Sequence, residues 1–336
     1  MDNTMLDAWT EIRQLVPALH GPFFDPAFVR AVHETVGPVT LLIGQEKNGE
    51  ISTIWPVHRR GARVIPVGWP GADFQGPLCR STVDPTEMLT AIGARTLFFD
   101  HLLRGLGVPE QVVHTWRPSP YLDVTGGLDG YLGRASRSGR DNLSQARRRA
   151  RKASAELGEL RFTPESTSFA LLGELIRLKR RQYAATGSGD FFAESGHREL
   201  LEHLFLSSSE NFAGVLSAVH CGDTLLAAHF GLRANGVLHW WFPVYEPEVA
   251  RFSPGWILLR ELISAAPSLG VDRIDLGRGD DEYKRRAKTG EVFVGKATIS
   301  TSRTVRLARA ANDVARGAVR RSGLAPRVRR ALRTRR

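Results

Sequence analysis

The sequence lacks the features that define several large functional classes. Its 336 residues include only two cysteines, Cys79 and Cys221, far apart and outside any CxxC pattern. Neither a disulfide framework nor a thiolate zinc site is expected, and we predict no metal. No apolar run reaches the roughly 20 residues that a spanning helix needs, and the acidic N-terminal segment is unlike a signal peptide. These absences predict a soluble cytoplasmic protein.

Several catalytic motifs are also missing. The sequence contains no G-x-x-x-x-G-K-[ST], no H-E-x-x-H and no G-x-S-x-G, which excludes a P-loop and the hydrolases built on the other two motifs. Gly277-Arg278-Gly279 begins a dinucleotide fingerprint, but Glu282 stands where its third glycine belongs. A Rossmann site is therefore not predicted.

The net charge of +11 resembles that of a nucleic-acid-binding protein until it is located along the chain. Twelve arginines and one acid, Asp313, lie between residues 303 and 336, so 34 basic and 34 acidic residues remain before them. The excess charge belongs to the C-terminal tail. That tail is interpreted first as a disordered solubilising end, with anionic membrane or nucleic acid as alternative partners.

Apolar spacing predicts an α/β fold in both halves of the chain. In the first half a helical stretch precedes the strands VTLLIGQ and ISTIWPVHRR, joined at Asn48-Gly49, a dipeptide typical of hairpin turns. Residues 84–107 are predicted to be helical from Asp84, the N-cap, and VVHTW and PYLDV to be short strands. In the second half FAGVLSAVH and TLLAAHFGLR form a similar hairpin around Gly222-Asp223. The repeated hairpin weakly indicates duplication.

The second half also contains a basic amphipathic helix and a candidate phosphate-binding loop. Apolar residues recur at helical spacing between Leu143 and Leu157, while arginines crowd the other faces. A solvated charged face is the favoured interpretation, and a phosphate-binding one is the alternative. Farther on, in ARFSPGWILL, Ser253 is a predicted N-cap, Pro254 suits the first turn, and Gly255 leaves the helix N–H groups accessible to an anion. Taken alone, an ordinary helix cap is the favoured reading of this segment.

The order of elements around that loop resembles a GNAT acetyltransferase domain. In more detail, Tyr245, Ser253-Pro254-Gly255, Leu258-Leu259, Gly270, Asp275-Leu276-Gly277-Arg278-Gly279 and Tyr283-Lys284 resemble the CelD/BcsL-like acetyltransferases of cellulose and exopolysaccharide biosynthesis. The resemblance covers residues 140 to 300, with a weaker echo at residues 73–78. It implies two tandem GNAT-like domains, mixed sheets flanked by helices, which we place at residues 1–125 and 126–302 before the tail at 303–336.

The resemblance implies an acyl-CoA-dependent acyltransferase that passes an acetyl or longer acyl group to an amine or hydroxyl in polysaccharide or cell-envelope biosynthesis. Arg251, Ser253, Pro254 and Gly255 would hold the CoA diphosphate. Candidate catalytic residues are Glu246, Asp275 and Tyr283, and candidate substrate contacts are Tyr245, Arg278 and Lys284. The alternative roles are a buried partner of Arg278 or Lys284 for Asp275, packing for Tyr283, and a solvated helix face for Arg278 and Lys284. The family more often has aspartate where this chain has Glu246.

Two other functions remain open at this stage. The tandem plan is also that of Fem-type enzymes, which transfer amino acids from tRNA to cell-wall precursors, and the basic helix at 141 to 157 would then contact RNA. A GNAT-fold binding protein that has lost CoA is the third possibility. The acyltransferase is predicted to act in the cytoplasm, with peripheral contact to the inner membrane through its tail.

Overall fold

The computed structural model describes residues 2–301, which form a mixed sheet with helices on its faces, as predicted. The predicted Arg-rich tail lies outside the described residues. The helices are α1 (Asn3–Leu15), α2 (Pro26–Thr35), α3 (Pro85–Ala91), α4 (Gly127–Arg134), α5 (Arg137–Leu157), α6 (Phe169–Thr186), α7 (His197–Phe205), α8 (Pro254–Ala265) and α9 (Glu282–Ala287). The strands are β1 (Thr40–Gln45), β2 (Ile51–Arg60), β3 (Arg63–Pro66), β4 (Leu78–Cys79), β5 (Thr96–Leu103), β6 (Thr115–Asp123), β7 (Leu160–Thr163), β8 (Phe212–Cys221), β9 (Thr224–Ala234), β10 (Val237–Tyr245), β11 (Arg273–Asp275) and β12 (Gly290–Ser300).

The strands of the two halves are interleaved in one sheet. The strand order is β1-β2-β3-β5-β12-β6-β11-β10-β9-β8-β7, and β4 pairs with β2 off this path. Strand β6 of the first half lies between β12 and β11 of the second, antiparallel to both. Strand β12 in turn pairs with β5 of the first half. The sheet is therefore continuous across the predicted boundary at residue 125, and the division into two domains stays a prediction.

Both predicted hairpins are present, with β1 antiparallel to β2 and β8 antiparallel to β9. The helix predicted over residues 84–107 is wrong in its second part. Asp84 caps α3 as expected, accepting from the Thr86 N–H at 2.7 Å, but Gly93 adopts φ +65° and ends the helical segment. Residues 96–103 then form β5, in which Leu97, Phe99 and His101 alternate as buried positions. The two short strands predicted after it are one strand, β6.

The helix α5 packs as its apolar spacing predicts. Leu143, Ala146 and Ala153 are buried, and they belong to the same core as Ile257, Leu258 and Leu262 of α8. Exposed basic side chains cover the opposite face, namely Arg147, Arg148, Arg151 and Lys152. Packing of α5 on α8 fixes the start of α8 relative to the sheet. Within residues 2–301 no helix is long and apolar enough to cross a membrane, and no cluster of side chains suited to a metal ion is found.

Because β6 contributes to the core of the second half, Leu122→Ala should destabilise that core. Leu122 is fully buried and pairs with Ile274 of β11. Its truncation should lower the free energy of unfolding by about 2–5 kcal/mol, measured by chemical denaturation. Thr115→Ala, at an exposed position of the same strand, is the matched control. The shared core would be contradicted if the protein unfolded in two separate transitions and Leu122→Ala shifted only the transition of the first half.

Candidate active site

A cavity of about 570 Å³ opens between the end of β10, the start of α8 and the segment before α9. We call it the first cavity. Six of the residues predicted for the site line it: Tyr245, Ser253, Pro254, Gly255, Tyr283 and Lys284. Residues from elsewhere in the chain complete the lining, among them Asp73, Lys179, Trp240 and Trp241. The Ser253-Pro254-Gly255 loop and the Tyr283-Lys284 pair, which the family resemblance assigns to one site, therefore line the same cavity.

The start of α8 presents an unoccupied hydrogen-bond donor to the first cavity. Pro254 has no N–H, and the N–H of Gly255 has no acceptor in the described chain, since the first helical hydrogen bonds run from Trp256 and Ile257 to the Ser253 carbonyl. A Cβ built on Gly255 would meet no atom within 4 Å, so the space beside this donor is open. Such a helix start suits an anionic group.

Ser253 occupies the predicted N-cap position but does not cap the helix with its side chain. The residue adopts a left-handed conformation (φ 51°, ψ 56°) and makes no side-chain capping bond. Its Oγ instead accepts a hydrogen bond from Arg149 Nη1 of α5 at 2.6 Å. Arg149, which no motif of the sequence indicates, thereby lies next to Ser253, a residue that lines the first cavity.

Arg251 is placed differently from Arg149. Its Nη2 donates to Glu156 Oε2 at 3.0 Å, its guanidinium stacks 4.4 Å from the Phe252 ring centre, and over half of its side chain is exposed. Arg251 does not line the first cavity. The cation beside the start of α8 is therefore Arg149 of α5, and not Arg251, which is nearer in sequence.

The central polar group of the site is Asp73, from the loop before β4. Its Oδ2 lies 2.9 Å from His239 Nε2 of β10, and its Oδ1 lies 3.5 Å from His101 Nε2 of β5. The far nitrogen of His101 contacts Asp100 Oδ1 at 3.0 Å. Burial alone would raise the pKa of Asp73, but the hydrogen bond and charge of His239, helped by His101, hold it below its usual value. Asp73 is therefore an ionised carboxylate at neutral pH.

The motif RIDLGRGDDEYK holds this carboxylate in place. Gly277 adopts φ +72°, and a Cβ there would lie 2.5 Å from Asp73 Oδ2, so only glycine permits the contact. The Lys284 ammonium donates to the carbonyls of Gly277 and Arg278 at 3.3 and 3.0 Å. Arg278 Nη1 donates to the Asp100 carbonyl at 2.9 Å. Lys284 thus holds the turn together, and Arg278 ties it to β5 of the first half.

The three residues that the sequence suggested as catalytic do not lie together. Glu246 lies outside the first cavity and pairs with Arg177 and Arg181 at 2.9 and 3.7 Å. Asp275 is buried beside His239 in the neighbouring strand, and its Oδ1 accepts from Arg273 Nε at 2.7 Å. Tyr283 lines the cavity, and burial raises the pKa of its hydroxyl. Of the three, only Tyr283 can reach a molecule bound there.

A second cavity of about 410 Å³ adjoins the first. The two share Asp73, Lys179 and Trp241, so these residues form the boundary between them. The pairing of β10 with β9 shifts register between His239 and Phe242, the part of β10 that contains Trp241 of this boundary. Trp241 is tied to the loop of Asp73 by a 2.9 Å hydrogen bond from its Nε1 to the Gly71 carbonyl. Asp73 therefore faces both cavities.

Residues 137–285 match the family model described as an acetyltransferase (GNAT) domain. This stretch includes α5, the β8–β10 strands and the whole Ser253–Lys284 side of the first cavity. The chain therefore carries an acyltransferase-type GNAT domain, as the sequence predicted. No curated protein matches the chain significantly. The cellulose- and exopolysaccharide-associated branch stays a prediction.

Solved structures support the fold over almost the whole described chain. FemX superposes with a TM-score of 0.55 at 11% identity, covering 89% of this chain and 96% of its own. The C-terminal domain of a protein named as a lysylphosphatidylglycerol synthetase, from Agrobacterium fabrum, gives 0.54 at 11%, with 92% and 95% covered. A conserved protein of unknown function from Bacteroides thetaiotaomicron gives 0.50 at 10%, with 81% and 90% covered. At these identities the likeness concerns the fold alone.

Replacing Lys179 with methionine should stabilise the protein most at neutral pH. Burial lowers the pKa of Lys179 to about 8, below the roughly 10.4 of an unfolded lysine. Between these values the unfolded chain binds more protons, so the wild type gains stability as the pH rises through this window. The Tm of Lys179→Met should exceed that of the wild type most near about pH 7 and least near about pH 10.

Lys47→Met, at an exposed turn position, is the control and should show no such pH dependence. Differential scanning fluorimetry across this range measures both variants. A Tm excess of Lys179→Met that stays constant or grows with pH would contradict the burial of the charged amine.

Proposed function

We propose that the protein transfers an acyl group from acyl-CoA to an amine or hydroxyl acceptor, with Asp73 as the general base. The observation that carries the proposal is the position of Asp73, between two histidines and the first cavity. An ionised carboxylate held by His239 and His101 faces a cavity whose opposite side is the start of α8. The GNAT domain match supplies the general expectation of an acyl-CoA donor.

The donor would bind in the first cavity with its diphosphate at the start of α8. The Gly255 N–H and the positive end of the helix dipole favour an anion there, and the Arg149 guanidinium on Ser253 Oγ adds a fixed cation. Ser253, Pro254 and Gly255 keep the role that the family resemblance implies, and Tyr245 lies where the chain leaves β10 beside them. Arg149 takes the role first given to Arg251.

The chemistry requires one group that accepts a proton and one that protonates the leaving thiolate. Asp73 lines the first cavity and is ionised because its pKa is held low, so its carboxylate can accept a proton. Asp281, the other carboxylate on this lining, is exposed and pairs with Lys284 at 3.6 Å. Tyr283 remains protonated because burial raises its pKa, and its hydroxyl lines the same cavity, which suits it as the acid. Lys179, a cation beside Asp73, is placed to stabilise negative charge that develops on the thioester oxygen.

The biological setting is a finer proposal. The resemblance of the 140–300 segment to the CelD/BcsL-like proteins supports a role in exopolysaccharide, cellulose or cell-envelope biosynthesis. The proposed location is the cytoplasm, with the tail as a contact to the inner membrane. Anionic lipid attracts basic segments by about 1 kcal/mol for each arginine near the surface.

An aminoacyl-tRNA-dependent transfer is the second candidate. One observation favours it: the exposed face of α5 carries Arg147, Arg148, Arg151 and Lys152 next to the side of the first cavity where Arg149 reaches Ser253. The fold likeness to FemX is consistent with this candidate. A basic helix of this kind binds phosphates through screened charge, so its affinity for tRNA would fall steeply with salt.

Gly255→Leu should abolish binding of acyl-CoA without unfolding the protein. The leucine side chain would fill open space beside the helix N–H, since a Cβ at this position meets no protein atom within 4 Å. The wild type should show a rise in Tm with acetyl-CoA or a longer acyl-CoA, because a ligand bound to the folded state alone stabilises it. Gly255→Leu should lose that rise, and Gly255→Ala should keep most of it.

The same titration with bulk tRNA separates the two candidate donors. A salt-sensitive shift with tRNA and none with any acyl-CoA would establish the second candidate in place of the first. Retained acyl-CoA binding in Gly255→Leu would refute the assignment of the loop. A shift with neither donor would favour a GNAT-fold protein that does not use CoA.

Asp73→Asn should lower kcat about 10²- to 10⁴-fold while the acyl-CoA thermal shift is kept, because asparagine preserves the shape but accepts no proton. Release of CoA thiol with the best amine or sugar acceptor measures kcat. Glu246→Gln is the comparison, since Glu246 is, with Asp275, a base candidate suggested by the sequence, and it should change kcat only slightly. A large loss in Glu246→Gln with an active Asp73→Asn would reverse the assignment.

A further inference from the structure

Asp73 is ionised, but a carboxylate of low pKa is a weak base. The histidines beside it hold its pKa below the usual value against the effect of partial burial, so a captured proton leaves it readily. In the free protein water can take that proton, since 28% of the Asp73 side chain is exposed. Asp73 lines both cavities, however, and substrates that fill them shut out this water. A proton acceptor inside the protein would then have to receive the proton.

His239 cannot serve as that acceptor. Its Nε2 lies 2.9 Å from Asp73 Oδ2, and because Asp73 is ionised, the hydrogen of this bond belongs to Nε2. That nitrogen has no free lone pair for a second proton. The other ring nitrogen, Nδ1, is buried and has no hydrogen-bond partner in the described part of the chain. His239 is therefore a fixed donor that orients the carboxylate.

His101 is arranged in the opposite way. Its Nδ1 lies 3.0 Å from Asp100 Oδ1, whereas its Nε2 lies 3.5 Å from Asp73 Oδ1. Burial would raise the pKa of Asp100, but the hydrogen bond with His101, supported by Gln75 and Arg278, holds it below the usual value. Because Asp100 is ionised, the hydrogen of the shorter contact belongs to Nδ1. Nε2 is left with a lone pair that faces Asp73.

Gln75 fixes this arrangement from the loop that carries Asp73. Its Oε1 accepts from the N–H groups of Asp100 and His101 at 3.2 and 3.1 Å. Its Nε2 donates to Asp100 Oδ1 at 3.1 Å, and the residue is buried. The loop and β5 are thereby joined beside the imidazole, so both carboxylates are held at set distances from it.

Two cations face this group from the turn after β11. Arg278 Nη1 donates to the Asp100 carbonyl at 2.9 Å, and Lys284 donates to carbonyls of the turn. Within residues 2–301 neither cation forms an ion pair with Asp73 or Asp100. A positive charge that forms on His101 would therefore be paired by Asp100.

We propose that His101 receives the acceptor's proton from Asp73 and holds it, paired with Asp100, while substrates fill the cavities. This inference rests on the proposed acyl transfer, since it names the group behind the base of that reaction. An imidazole is a stronger base than a carboxylate, with ordinary pKa values of about 6.5 and 3.9. A carboxylate on the Nδ1–H fixes the tautomer of the ring and stabilises the imidazolium. His101 acts through Asp73 and touches no substrate.

The proton transfers leave every group as it began. The N–H or O–H proton of the acceptor passes to Asp73 Oδ1 and then to His101 Nε2. Meanwhile the C–N or C–O bond forms at the thioester carbon, the C–S bond breaks, and the thiolate takes a proton from Tyr283. When the products leave, His101 returns its proton through Asp73 to water in the open cavity, and Tyr283 regains one from that water. The products are an amide or ester and CoA with a free thiol.

The tautomer of resting His101 can be tested without any substrate. In protein labelled with ¹⁵N-histidine, we expect the two-bond ¹H–¹⁵N spectrum at the pH of the assay to show a neutral ring with its hydrogen on Nδ1. His101→Gln identifies the signals by their loss. A hydrogen on Nε2, alone or together with one on Nδ1, would overturn the proposal, because Nε2 could not accept a proton.

His101→Gln tests the role in turnover. Its kcat should fall about 10- to 100-fold, less than the about 10²- to 10⁴-fold contribution of a direct general base, while the acyl-CoA thermal shift is kept. The wild-type kcat should fall at low pH, where His101 is protonated before the reaction. In His101→Gln this fall should move to the lower pH at which Asp73 is protonated. His114→Gln, at an exposed histidine, is the control and should change neither kcat nor its pH dependence.

Two further measurements separate a proton acceptor from a structural side chain. Asp100→Asn should also move the fall of kcat to lower pH, because removing the negative charge makes the imidazolium less stable. In His101→Ala, added imidazole should restore part of kcat, and pyrazole, a ring of the same size but a far weaker base, should not. Equal recovery with pyrazole, or a fall of kcat that stays in place in Asp100→Asn, would overturn the proposal.

Asp73→Asn distinguishes this proposal from the proposed function. An inactive Asp73→Asn together with a His101→Gln that matches the wild type in kcat and pH dependence would overturn the role of His101 and leave the base intact. An active Asp73→Asn would refute the base and the proton path behind it. A wild type without any acyl-CoA shift would refute the donor assignment, and the tautomer spectrum of His101 does not depend on that result.

Discussion

The hydrogen bond between Asp73 and His239 joins the two halves of the molecule at the point where chemistry is proposed. The two residues are separated by 166 positions in the chain, and the bond is 2.9 Å long. It exists because β6 and β12 interleave the halves into one sheet. The edges of the Phe23 and Phe74 rings confine the His239 imidazole, with centroids at 4.8 and 5.8 Å. An ion pair in a buried site is useful only when its geometry is fixed in this way.

The same constraint explains the charged motif RIDLGRGDDEYK. Its strand is short and places Asp275 beside His239, where Arg273 neutralises it. Its turn must approach Asp73 closely, which requires glycine at 277. Lys284 donates to the carbonyls of Gly277 and Arg278 in the turn, and Arg278 donates to the Asp100 carbonyl of β5. Buried backbone carbonyls of this kind need such partners. Much of the charge in this motif therefore holds the turn in place, while Tyr283 and Lys284 also line the first cavity.

The sequence predicted the parts of the site that are local in the chain. The start of α8, the strand and helix after it, and the lining role of Tyr283 and Lys284 depend on residues within a few positions of each other. Asp73, His101 and Arg149 could not be found in this way, because their role depends on which strands and helices pair over long separations. The one signal for Asp73 was the weak echo at residues 73–78. His239 carries no signal of its own, because a histidine in an apolar strand is more often a core residue, and it is indeed fully buried.

The wrong helix prediction for residues 96–103 also arises because distant segments of the chain decide the structure there. Residues 96–103 contain leucine and phenylalanine in a run that suits a helix and a buried strand equally, and only the neighbouring strands decide between them. Once β12 pairs with β5, His101 is fixed next to Asp73, so the misassigned segment is also the one that completes the site. Hydrophobic periodicity therefore gives the wrong secondary structure for β5, the strand of the first half that pairs with β12 of the second half.

The two cavities differ in the groups that line them, and this difference gives a direction to the proposed reaction. The start of α8 offers a diphosphate the Gly255 N–H and the positive end of the helix dipole, and Arg149 lies close by on Ser253 Oγ. The second cavity offers no such group, and the exposed Glu194 carboxylate on its lining would repel a diphosphate. The acyl-CoA donor is therefore expected in the first cavity. Asp73 lines both cavities, so its carboxylate lies between the donor and an acceptor that approaches from the second cavity.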